Sequence, residues 1–226
     1  MKIGVLLSGS GVYDGAEIHE SVLTLLAIAE GGDEAICIGV DKNQHHVINH
    51  LNGEEMNEER NMLTEAARIA RGDIKNINDV DPANIDMLVI PGGFGSAKNF
   101  TKWAFEGPEG DILPEVKLLL VNLINIGKPI AALCVSPVVI AKAFQDSDMT
   151  LNLTIGSDKE ESPYDIKSFS DGLEATGATT EMKTKSEVLV DEENKVVTAP
   201  CYMMDTDIVT LRNNIKEAIN AAKKLI

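Results

Sequence analysis

The chain has 226 residues, 44% of them hydrophobic, and its 36 acidic against 20 basic side chains leave a formal charge of -16. That length supports one sizeable core, no Pro/Gly/Ser-rich linker divides it, and a single domain spanning 1–226 is expected. The acidic balance argues against nucleic acid and anionic membrane as partners. No run approaches the ~20 apolar residues of a membrane span and the start has no signal-type apolar region, so a cytoplasmic protein is expected.

In chain order, residues 3–7 form a continuous apolar run that ends in SGSGVYDG. A helix follows, with Ile18, Val22, Leu25, Leu26 and Ala29 expected on its core face. Gly9 and Gly11 resemble the start of a dinucleotide fingerprint, but Asp14 stands where the third glycine belongs, and Asp14 and Glu17 would repel a pyrophosphate. Glu17 at the helix opening suits the helix dipole. Residues 35–40 read as a second strand. His46 and His50 are spaced four apart after it, but no third ligand accompanies them and a structural role is favoured. Residues 61–71 read as a helix stopped by Gly72.

Residues 87–90 read as a buried strand ending in Pro91-Gly92-Gly93-Phe94-Gly95, where glycines let backbone N–H groups turn toward a bound group. A strongly apolar helix is expected over 113–126, with Leu118, Leu119 and Val121 in surplus, suggesting burial on both sides or a subunit contact. Residues 129–133 then read as a strand that runs into Cys134 and leaves it as the helix 136–144. A cysteine there sits at the carboxyl end of a strand and beside a helix N-terminus, which favours a nucleophilic thiolate; a small core hydrophobe is the competing reading. Cys37, Cys134 and Cys201 show no paired spacing, so neither a disulfide framework nor a zinc site is suggested.

Residues 151–155 are expected to form a further strand, followed by a polar loop and a short helix. A β-hairpin is expected around Glu192-Glu193-Asn194, then a last helix entered through Asp205 or Thr206, with Ile208, Leu211, Ile215, Ile219 and Ala222 on one face. The alternation implies a mostly parallel sheet covered by helices on both faces. Tyr202, in the Pro200-Cys201-Tyr202 turn after a strand, is a pocket candidate; Cys201 reads as a bystander.

An acid near residue 17, a strand followed by PGG, and a strand-cysteine-helix turn resemble the ThiJ/PfpI superfamily, with its flavodoxin-like, class I glutamine amidotransferase-like fold. GVYDGAEIHE, VINHLNGEEMNEERN, ARIARG, PGGFGSAKN, LTIGSD and VDEENKVVTAPCYM, which run from residue 11 to 203 and so along nearly the whole chain, narrow the resemblance to the ElbB family. That resemblance implies Cys134 as nucleophile, Glu17 as its acid partner, and an oxyanion hole from the N–H groups of Gly93 and Val135 beside Gly92. Each such donor is worth roughly 3 to 4 kcal/mol.

It further implies a cofactor-free, glyoxalase III-like conversion of a small 2-oxoaldehyde, glyoxal or methylglyoxal, and a homodimer. One departure stands out: no histidine follows His50, and the loop LTIGSDKEESPYD offers only Ser157 and Asp158 where many superfamily members place one. Autonomous glutamine hydrolysis is therefore not expected. A redox-sensing cysteine, or a partner-dependent amidotransferase-like module linked to isoprenoid biosynthesis, are the alternatives.

Overall fold

The computed structural model describes residues 1–226. Seven strands, β1 (Lys2–Leu7), β2 (Glu34–Gly39), β3 (Lys75–Asn76), β4 (Met87–Ile90), β5 (Ile130–Leu133), and the late pair β8 (Leu189–Asp191) and β9 (Val196–Ala199), form one sheet in the order β3-β2-β1-β4-β5-β9-β8. All neighbours are parallel except β8 and β9, which form the expected hairpin. Continuous apolar runs build the centre: every residue of β4, β5 and β9 is buried. Strands wetted on neither face need helices on both, and the chain supplies them.

The helices are α1 (Ile18–Glu30), α2 (Met62–Ile69), α3 (Trp103–Glu106), α4 (Pro114–Asn125), α5 (Pro137–Phe144), α6 (Ile166–Ala175) and α7 (Ile208–Lys223). α1 packs along α7, and α4 along α5. On α4, Leu119 is buried and Val121 partly so, while Leu118 points outward.

Three expectations are corrected. The 151–155 run contributes only β6 (Asn152–Leu153), which pairs with β7 (Thr179–Thr180) in a separate two-stranded ribbon. Its approach to the main sheet is through side chains: Thr154 N–H donates to Thr198 Oγ1 and Asn152 N–H to Asp191 Oδ2. α7 is capped by Asp207, which accepts from the N–H groups of Val209 and Thr210, so Ile208 falls outside the buried face.

The largest correction concerns α1. Ile18, Val22 and Leu26 are exposed, whereas Glu20, Ser21 and Thr24 are buried with Ala27 and Ile28. The helix turns a polar stripe inward, against the usual pattern of an amphipathic helix. The reason is the site that this stripe serves.

Candidate active site

Four chain segments meet at the carboxyl ends of the central strands, where open α/β sheets place their ligand sites. They are the start of α1, the glycine turn after β4, the β5–α5 turn, and the single 3₁₀ turn Cys201–Met203 after β9. Between β5 and α5, Cys134 holds φ 57°, a left-handed conformation that is strained for a side chain bearing Cβ and that a sharp strand-to-helix turn imposes. The turn is fixed from several sides. Cys134 N–H donates to Ala199 O at 2.9 Å, and Ser136 Oγ donates to Pro91 O at 2.7 Å while pairing with Ser96 Oγ at 2.8 Å. Ser96 opens a wide π-type turn, Ser96–Phe100, a feature often found near functional sites.

The carboxyl group that meets Cys134 is Glu20, not Glu17. Glu20 is fully buried and its carboxyl faces the Cys134 thiol across Gly92; its Oε2 accepts from Gly92 N–H at 2.8 Å and its Oε1 from Tyr202 N–H at 3.1 Å. Glu17 is instead the N-cap of α1, its Oε2 accepting from Glu20 N–H at 2.6 Å, so its carboxylate is engaged one turn away.

Burial, with the Glu17 charge beside it, pushes the Glu20 carboxyl up to about 8, against the pull of the two N–H donors. Burial and the Glu20 charge raise the Cys134 thiol well above its ordinary value. Two acids in contact and out of water cannot both ionise, and the pair gives up its first proton as one unit.

The remaining sequence candidates separate. Gly92 does not offer an oxyanion donor, because its N–H is taken by Glu20; its place is steric, since a Cβ there would overlap Cys134 and lie 2.5 Å from Glu20 Oε2. Gly93, at φ 98°, points its N–H at the Cys134 sulfur, and neither it nor the Val135 N–H has a carbonyl partner. Asp158 is exposed, with the positive side chain of Lys167 feeling its charge, and belongs to the surface rather than the pocket. Tyr202 borders the site through its backbone N–H, while its hydroxyl pairs with His19 Nδ1 at 3.0 Å. Cys201 is closer to the centre than a bystander: Cys134 N–H also points at its sulfur.

The histidines lie elsewhere. His50 receives Tyr13 N–H and packs on Tyr13, and His45 and His46 stack with Phe105. Asp14, where a dinucleotide fingerprint would need glycine, accepts from Ile48 N–H at 2.7 Å and fastens the 43–60 loop.

The raised Glu20 has a consequence for stability. In the unfolded chain this carboxyl ionises near 4.5, in the folded one near 8, so folded protein binds more protons in between. The group imposes no penalty below the unfolded value and destabilises progressively as pH rises toward 8, by up to about 5 kcal/mol. Thermal unfolding of Glu20→Gln, measured against the wild type, therefore gains on it between about pH 5 and about pH 8. A difference that stays flat across that range would show that Glu20 ionises normally.

No family model matches the chain. Over its whole length it is 38% identical to the ES1 protein homolog, mitochondrial, of Rattus norvegicus, covering 82% of that protein. Over 99% of its length it is 37% identical to glutamine amidotransferase-like class 1 domain-containing protein 3, mitochondrial, of Homo sapiens, covering 83% of it. Among solved structures, an isoprenoid biosynthesis protein with amidotransferase-like domain from Ehrlichia chaffeensis superposes with a TM-score of 0.89 at 32% identity, covering 100% of this chain and 99% of that one. DJ-1beta of Drosophila melanogaster shares the fold at a TM-score of 0.55 and 19% identity, covering 99% and 92%. With relatives this similar along nearly all of its length, the chain belongs to the ES1 family of glutamine amidotransferase-like class 1 domain proteins.

Proposed function

We propose that the protein is an ElbB-type, glutathione-independent glyoxalase that converts glyoxal to glycolate, and methylglyoxal to lactate, at Cys134. The observation that carries this reading is the buried Glu20 carboxyl facing the Cys134 thiol, with the Gly93 N–H directed at the sulfur and the Val135 N–H beside it, neither of them taken by a carbonyl. A thiol, one proton-carrying acid and an oxyanion hole are all that the conversion requires.

In the reactive form the shared proton sits on Glu20 and the sulfur is thiolate. The thiolate adds to one aldehyde carbon, forming the C–S bond, and Glu20 delivers its proton to the resulting alkoxide to give a hemithioacetal. Glu20, now a carboxylate, removes the hydrogen from that carbon; the electron pair moves into a C=C bond and onto the second oxygen. Returning the proton to the second carbon, with transfer of the first hydroxyl's proton to the second oxygen, leaves a thioester of glycolate. Water hydrolyses it and restores the thiol. The net change adds one water to glyoxal, one carbon being oxidised and the other reduced.

One feature supports this over the alternatives. Cys134 is only 6% exposed, which suits a substrate of two or three carbons better than a glutamine side chain or a peptide. The test is glyoxal consumption with glycolate detection in the absence of glutathione. Saturable turnover by the wild type, absent in Cys134→Ser, is expected; turnover indistinguishable from buffer with both proteins removes the glyoxalase reading.

A further inference from the structure

The loop between β6 and α6 brings a side chain to the site that neither the acids nor the histidines of the sequence advertise. Ser162 Oγ donates to Met203 O at 2.6 Å and accepts from Tyr164 N–H at 2.9 Å, and Asp205 N–H donates to Glu161 O. These bonds moor the loop against the turn that follows β9. On its far side Asp165 caps α6, accepting from Ser168 N–H. Tyr164, between these anchors, packs its ring edge-on against Phe94, with centroids 5.8 Å apart and planes at 78°. Phe94 directly follows Gly93, whose N–H faces the Cys134 sulfur.

Tyr164 is half-buried, and its hydroxyl makes no hydrogen bond to the protein. Its neighbours are already committed: the Tyr202 hydroxyl pairs with His19, and Ser157 Oγ accepts from Lys159 N–H. Burial and the nearby charges of Cys134 and Glu20 push the Tyr164 phenol up to about 12, so it stays an O–H donor across the neutral range.

Resting on the glyoxalase reading of this site, we propose that Tyr164 is the substrate-binding donor that recognises the second oxygen of a 1,2-dicarbonyl attached to Cys134. A dicarbonyl places two oxygens on adjacent carbons. The first, on the carbon joined to sulfur, falls to the Gly93 and Val135 N–H groups. The second lies one carbon farther out and carries the negative charge after the C–H bond breaks. A phenol held there by packing stabilises that charge with little reorganisation. A simple aldehyde has no second oxygen and gains nothing from it. Tyr164 thereby makes the site selective for 2-oxoaldehydes, in the loop where a downstream histidine is missing.

The test is Tyr164→Phe, which keeps the ring on Phe94 and removes only the hydroxyl. Two quantities are measured on the full chain: kcat/KM for glyoxal, and the protection of Cys134 from iodoacetamide by glyoxal and by acetaldehyde. Expected are a fall in kcat/KM of about 100-fold, an alkylation rate without aldehyde that does not change, and protection by glyoxal weakened about tenfold while protection by acetaldehyde is kept. A Tyr164→Phe protein equal to the wild type in both measurements overturns the proposal. If the wild type does not turn over glyoxal, the glyoxalase reading fails, and the protection data still decide: a glyoxal-specific loss in Tyr164→Phe upholds dicarbonyl recognition, and no loss overturns it.

Discussion

Glu20→Gln lowers glyoxal turnover by about two to four orders of magnitude, whereas Glu17→Gln stays within about tenfold of the wild type. The contrast follows from geometry rather than from acidity. Glu20 is the carboxyl in contact with the thiol, and a glutamine there can neither take the proton from carbon nor return it. Glutamine does keep an oxygen to accept one of the two N–H groups, from Gly92 or Tyr202, so the fold survives the exchange. At position 17 the side chain's work is to accept Glu20 N–H at the start of α1, which the glutamine oxygen still does. Steady-state kinetics on the two variants at saturating glyoxal decides the assignment, and an inactive Glu17→Gln beside an active Glu20→Gln would reverse it.

Gly92→Ala is expected to lose more than about 99% of activity and roughly 1–3 kcal/mol of stability. The added methyl would overlap Cys134 Cβ and sit 2.5 Å from Glu20 Oε2 and 2.7 Å from Cys134 Sγ. None of these atoms is the free end of a flexible chain. Cys134 is pinned by its N–H bond to Ala199 O, and Glu20 by two backbone donors. Relief requires the thiol and the carboxyl to part, which ends proton transfer between them. Urea unfolding midpoints and glyoxal assays together test this; full activity in Gly92→Ala would mean that the reactive pair does not meet across this glycine.

Much of the scaffold was legible because the central strands are buried on both faces and so read as uninterrupted apolar runs at 3–7, 87–90 and 129–133. The turn at Cys134 and the glycines at 92 and 93 were legible for the same reason, lying where such runs stop. α1 was misread because periodicity assigns apolar residues to the core. Here Ile18, Val22 and Leu26 are left outside so that Glu20 can reach the site. A signal was present: an acid that caps a helix has its oxygen engaged with the backbone, and Glu17 at the cap leaves Glu20, one turn on, as the inward carboxyl. β6 was misassigned because a short apolar run does not reveal which sheet it joins. Tyr164 sits in a polar loop whose local pattern carries no periodicity, and only the anchoring bonds to Met203 and Phe94's ring disclose its place.

The strand order has a last consequence, for the time course of folding. Residues near 20, 92, 134 and 201 are brought together by β1, β4, β5 and β9, which are adjacent in space but pair residues 42 to 84 apart along the chain. Parallel pairings of this range close large loops before any contact rewards them, and they form late. Cys134 takes its left-handed conformation only once Ala199 is beside it to accept its N–H. The thiol thus remains an ordinary one through synthesis and collapse, and acquires its buried acid partner only when the central sheet is complete.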